Sequence, residues 1–180
     1  NEFSSECGLM LMGNIPLSAQ HMPVSPFYFT NLPENFRESA LLDRFHCFIE
    51  GWILPRVDKS MIFKGWTINV EYFSEILHTM RTQNTYGLLF DQLVRFEEKA
   101  DVRDSNAVKR IATAYMKLLF PHWQRIEDIN EEEFKMYCLD PAVYRRGIVK
   151  EQCSNIDPEF KSRMPYVEVV QTGFSGNKLF

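Results

Sequence analysis

The chain has 180 residues, 45% hydrophobic and 24% charged, the balance of an ordinary folded domain rather than a disordered or fibrous one. A formal net charge of -4 argues against a generally basic nucleic-acid-binding surface and leaves room only for a local patch. No apolar run approaches the ~20 residues needed to cross a bilayer, and Glu2 and Glu6 before a very short apolar run do not make a signal peptide, so a cytoplasmic protein is expected.

Gly8-Leu-Met-Leu-Met-Gly-Asn14 is a continuous apolar run, the pattern of a strand buried on both faces of a parallel sheet. Strands are scarce in the rest of the chain, which therefore reads as a piece that starts inside a larger α/β domain. Asn14 would stand at the carboxyl end of that strand, where open α/β sheets bind ligands, and its amide suits a phosphate or an attacking water. Gly-Asn-Ile-Pro is equally good turn chemistry. The Pro-rich, aromatic stretch from Pro16 to Pro33 is too apolar for a free linker and is expected to pack on the domain or on a neighbouring subunit.

The segment Asn35 to Trp52 is the most organised part of the sequence. Asn35 and Glu38 have the spacing of a helix-capping box. Leu41, Leu42 and Phe45 fall within an arc of roughly 100° at helical spacing, with Arg44 just outside it. Phe45, Cys47, Phe48 and Ile49 then read as a short buried strand, stopped by Gly51 and Pro55. Arg44 is thereby expected at a helix-to-strand junction, aimed by core residues on either side. A local ion pair with Asp43 or Glu38 is the plain alternative, of a kind worth about 0–1 kcal/mol.

Beyond Trp52 the pattern is helical. Asn69 caps a helix whose apolar face is Val70, Phe73, Ile76, Leu77 and Met80; Leu89, Leu93 and Phe96 mark a second, from about Tyr86 to Lys99. Asp104 or Ser105 is expected to cap a third, with Val108, Ile111, Ala112, Tyr115, Leu118 and Leu119 inward and Pro121 beyond its end. Asn130 with Glu133 makes another capping box, and Asp140-Pro141 opens a last helix that reaches about Ser154. Short connections join these helices into an antiparallel bundle.

Several chemistries find no support. There is no G-x-x-x-x-G-K-[ST] loop to cradle phosphates and no G-x-S-x-G elbow. Leu88-Leu-Phe-Asp91 superficially resembles the strand-end acid of P-loop ATPases, but its surroundings have helical period, so it reads as core. Cys7, Cys47, Cys138 and Cys153 are widely spaced and form no C-x-x-C, and the four histidines are equally scattered, so reduced thiols are expected and no metal site.

The order of parts resembles the second half of an AAA+ ATPase module: a strand ending in Gly13-Asn14, a loop, Ala40-Leu-Leu-Asp-Arg-Phe45, a short strand and a helical lid. Gly13-Asn-Ile15, Asp43-Arg-Phe-His46 with Gly51-Trp52, and Arg145-Arg146 followed by Val149-Lys-Glu-Gln152 are similar to the BrxL-type, Lon-like proteins of bacterial phage-defence systems, over roughly residues 8–155. The resemblance implies that Asn14 is sensor 1, that Arg44 is an arginine finger reaching a neighbouring subunit's ATP, and that Arg145 or Arg146 is sensor 2. It also implies the division of the chain: residues 1–56 as the end of an AAA+ α/β core, 57–164 as a helical lid, and 165–180 as a linker toward a Lon-like domain. The expected fold is mainly α with a small β part. The full-length protein would be an ATP-dependent Lon-type protease or ATPase, using ATP and Mg2+ in a homo-oligomeric ring, a hexamer by analogy, and acting on protein or DNA. The chain by itself would be inactive, lacking a P-loop and a visible Ser–Lys dyad, with no ligand bound and no membrane contact. The competing expectation is a helical interaction module with no nucleotide chemistry.

Overall fold

A computed structural model describes residues 8–170 of the chain. The architecture is mainly helical with a small β part, as expected, but the sheet among the described residues has two strands and neither is one the sequence reading placed. In chain order the elements are α1 (Ser39–Leu42), α2 (Val70–Arg81), α3 (Thr85–Leu93), β1 (Val94–Phe96), α4 (Val102–Leu119), α5 (Glu131–Phe134), a π-helical turn (Lys135–Leu139), α6 (Asp140–Ile156) and β2 (Val167–Val169). Short 3-10 turns punctuate the first third, at Tyr28–Asn31, Glu34–Phe36, Gly51–Ile53 and Lys59–Met61.

The bundle proper is α3, α4 and the run from α5 to α6, which share one apolar cluster. Tyr86, Phe90 and Leu93 from α3 meet Val108, Ala112 and Met116 from α4, and Phe134, Cys138, Leu139 and Ala142 close the third side. Phe120 and Trp123 stack with centroids 3.9 Å apart, sealing the end of α4 over this cluster. A second, smaller cluster gathers Phe29, Leu42, Val149 and Cys153, with Tyr28, Phe45 and Phe48 packed against it. Gln152 holds the Pro-rich loop there: its Oε1 accepts from the Tyr28 amide at 2.7 Å and its Nε2 donates to the Pro26 carbonyl at 2.8 Å. That loop therefore packs on α6 of its own domain.

Several boundaries differ from the sequence reading, each for a physical reason. Gly8–Asn14 forms no strand; it has no ladder partner among the described residues, and Leu9, Met10 and Met12 are exposed. Phe45–Ile49 likewise has no sheet neighbour among the described residues; its backbone amides bond only the Leu42 carbonyl, from Phe45, and the Arg145 carbonyl, from Phe48. The box expected at Asn35 and Glu38 is replaced by a 3-10 turn, and Glu38 starts α1 without a side-chain cap. The second helix stops at Leu93 because Val94, Arg95 and Phe96 alternate inward and outward, the period of a strand, and pair antiparallel with Val169, Glu168 and Val167. This ladder ties residues 167–169 to the bundle, whereas residues 171–180 lie outside the described residues.

The cap of α4 lies three residues before Asp104, the first of the two expected positions. Asp101 is the cap, its side chain accepting from the Arg103 amide at 2.7 Å, and Asp104 lies inside the helix. Asn69 and Asn130 cap as expected, accepting from Tyr72 and Glu133 amides respectively. Asp140-Pro141 begins α6 as expected, with proline in its first turn, but Asp140 does not cap it. The helical run passes straight through this pair, and the Asp140 amide bonds the Lys135 carbonyl in the wider π pattern. Pro141 offers no N–H to the carbonyl four residues earlier, that of Tyr137, and the π turn takes up the mismatch. α2 keeps its expected amphipathic pattern, yet Val70, Phe73 and Ile76 stay exposed and no residue of that helix is buried.

Candidate functional site

The short helix α1 ends at Leu42, which is fully buried in the smaller cluster, and the next four residues run along α4 and α6. Asp43 turns inward. Its carboxylate takes Arg146 Nη2 on Oδ1 at 2.6 Å and Arg103 Nη1 on Oδ2 at 2.7 Å. Arg146 is 1% exposed, and its remaining hydrogens go to Asp104 Oδ1 from Nε at 2.8 Å and to the Asp43 and Phe45 carbonyls from Nη1. Asp104 also pairs with Lys150. Both buried carboxylates are thus matched by cations, and both backbone carbonyls flanking Arg44 are held by a single guanidinium. Burial pushes the Asp43 carboxyl up, but the Arg103 hydrogen bond and the charge and hydrogen bond of Arg146 outweigh it and hold it below the usual carboxylate range.

Arg44 points the other way. It is exposed, and its Nη1 donates to the Ala40 carbonyl one turn back; no carboxylate pairs with it among the described residues. The expected partners Asp43 and Glu38 are therefore not its counter-ions. With Asp43, Phe45, His46, Arg103, Asn106 and Arg110 it lines a cleft of about 190 Å³ between the 43–46 segment and α4. Arg146 forms part of its floor. Four arginines here face a single lining carboxylate, which is already neutralised. The cleft is an anion site by its charge.

His46 completes it. Arg110 Nη1 lies 3.1 Å from His46 Nε2, and a guanidinium can only donate, so Nε2 is the acceptor and the ring proton sits on Nδ1. Burial first, then the charges of Arg110 and Arg146, push the imidazole below its ordinary value, which keeps it neutral at pH 7.

The other predicted residues stand elsewhere. Asn14 is exposed on the irregular N-terminal segment and does not line the cleft. Arg145 is half-buried beside Arg146 but faces away; its Nε donates to Tyr115 Oη at 2.7 Å, while Nη1 is buried without a hydrogen-bond partner. Arg146 has its whole fork committed inside its own chain. Arg103 and Arg110 were missed by sequence reasoning, although their separation of seven residues puts them on one face of α4. Among the described residues no group of three or more His, Cys, Asp or Glu side chains is placed to hold a metal. Among them too, no helix is long and apolar enough to cross a membrane.

The chain is 26% identical over 156 residues to the Lon-like protease BrxL of Bacillus cereus (strain H3081.97), covering 86% of this chain. It is 23% identical over 156 residues to the Lon-like protease BrxL of Escherichia coli O9:H4 (strain HS), covering 87% of it. The matched stretch is 22% of the length of each of these relatives. Residues 1–165 match the family described as Lon-like protease BrxL-like, ATPase domain, and the chain belongs to that family.

Proposed function

We propose that this chain forms part of the nucleotide-hydrolysing unit of a Lon-like ATPase and that Arg44 is its trans-acting guanidinium. The observation that carries the reading is Arg44 itself: exposed and without a carboxylate partner among the described residues, on a backbone whose flanking carbonyls are clamped by a buried arginine. Such a side chain has an anchored base and a permanently charged fork that touches a neutral carbonyl and no counter-ion among the described residues. The cleft it lines also limits what enters. At about 190 Å³ it is smaller than the roughly 300–1,000 Å³ of a pocket for a whole ligand, so it receives one end of a ligand held elsewhere. The phosphate end of an ATP bound on an adjacent subunit meets that description.

In hydrolysis the water oxygen bonds to the γ-phosphorus as the bond to the bridging oxygen breaks. ADP leaves with that electron pair, and the water's proton passes to the released phosphate and the solvent. Arg44 would neutralise charge on the γ-phosphoryl oxygens, a role worth about 10³–10⁵ in rate in other arginine-finger enzymes. Mg2+ would travel on the nucleotide's phosphates. Asn14 remains the proposed sensor 1. Of the two sensor 2 candidates Arg145 is preferred, because it alone has a guanidinium nitrogen without an acceptor. A homo-oligomeric ring, coupling turnover to work on protein or DNA in phage defence, follows from the same reading.

The test is ATP turnover by the full-length protein. Arg44→Ala should lower it by about 10³–10⁵ with an unchanged melting temperature. Mixing mutant with parent subunits should reduce activity out of proportion to the mutant fraction, since each finger serves a neighbour. Parent-like turnover by Arg44→Ala would refute the assignment.

A further inference from the structure

We propose that Arg110, on α4, is a second anion-contacting residue of the Arg44 cleft, held in place by neutral His46, and that the two arginines grip one terminal phosphoryl group from opposite walls. The inference rests on the reading of Arg44 given above and adds to it a contact from the helical bundle.

Of the four arginines at the cleft, two are already spent within the chain. Arg103 is paired with Asp43, and Arg146 with Asp43 and Asp104. Arg44 and Arg110 have no carboxylate partner among the described residues, so their charges stay available to a ligand. They stand on different elements. Arg44 belongs to the turn after α1, and Arg110 lies two turns along α4 from Arg103.

The single side-chain partner of Arg110 in the described structure is an uncharged ring nitrogen. That contact restrains one arm of the fork without cancelling its charge. A carboxylate at position 46 would have neutralised the arginine; a neutral imidazole orients it. Asn106, which also lines the cleft between Arg103 and Arg110, adds a neutral amide on the same face.

The ligand class follows from charge and size. Two free guanidiniums with forked donors match the oxygens of a phosphoryl group better than a monovalent ion. A polynucleotide would need a basic track several phosphates long, and the chain as a whole carries a formal charge of -4. One terminal phosphate fits the available volume.

The experiment uses the full-length protein and four readouts: ATP turnover, binding of a fluorescent ATP analogue, binding of single-stranded DNA, and melting temperature. Arg110→Ala should lower turnover by roughly 10–100-fold, the range of a charge-assisted hydrogen bond to an anion, and Arg110→Lys should restore part of it. His46→Phe should give a smaller loss, and the double variant should fall no further than Arg110→Ala, because the ring acts only through Arg110. Because Arg110 is exposed, its variants should keep the parent melting temperature.

Turnover by Arg110→Ala within twofold of the parent, with Arg44→Ala inactive, overturns the second contact and leaves the finger standing. Loss in Arg110→Ala with full activity in Arg44→Ala overturns the finger instead. Additive losses in the double variant overturn the positioning role of His46. An Arg110→Ala defect in binding single-stranded DNA but not in ATP turnover overturns the nucleotide assignment in favour of nucleic acid.

Discussion

Replacing Arg146 by alanine is the sharpest test of how the cleft is built. Arg146 is 1% exposed and is the shared partner of Asp43 and Asp104, themselves 7% and 1% exposed. Its removal leaves Asp104 with Lys150 and Asp43 with only the half-exposed Arg103, and it strips two backbone carbonyls of their donor. Breaking a buried ion pair from one side costs about 3–5 kcal/mol. Each kcal/mol lowers the melting temperature of a domain this size by about 2–4 °C, so a drop of about 6–20 °C is expected. Urea denaturation followed by far-UV circular dichroism gives the free energy directly. The companion variant Asp43→Asn, Asp104→Asn, Arg146→Met removes all three buried charges together and should be markedly less damaging than Arg146→Ala, since it leaves neither buried carboxylate charged and short of its partner. A loss below about 1 kcal/mol for Arg146→Ala would refute the reasoning, as would equal losses for the two variants.

Two further outcomes concern groups beside the cleft. His46 is held below its ordinary value, so the folded protein binds its proton less readily than the unfolded chain; stability should fall as pH drops from about 6.5 toward the folded value, and His46→Gln should flatten that slope in urea melts at pH 7 and pH 5. Asp101 caps α4, so Asp101→Ala should cost about 0.5–2 kcal/mol in chemical denaturation; a neutral result would put the helix start elsewhere.

What the sequence disclosed depended on how local the signal was. The helices α2 and α4 were legible because their apolar residues repeat over several turns, α6 because Asp140-Pro141 marks its first turn, and the caps at Asn69 and Asn130 because an amide side chain closes on its own first turn. β1 was not legible, since a three-residue strand shows only against its partner, which lies more than seventy residues away. Gly8–Asn14 misled in the opposite sense: its apolar composition matches a buried strand, but composition does not supply a neighbour to bond. Arg44 does stand just past the end of a helix, though the segment after it pairs with no strand among the described residues. Asp104 read as a cap because helix caps and buried acids are the same residue type, and only Arg146 across the helix interface tells them apart. Arg110 and His46 belong together through a contact sixty-four positions apart, which no window along the chain contains.

α6 has a property that comes from its place between the two apolar clusters. Ala142 near its start belongs to the larger cluster, whereas Val149 and Cys153 near its end belong to the smaller one. Seventeen residues of one continuous helix are therefore a common wall of both. Neither cluster can come apart without stripping contacts from the same helix, so the two should melt as one cooperative unit, and amides along α6 should be among the slowest to exchange with heavy water.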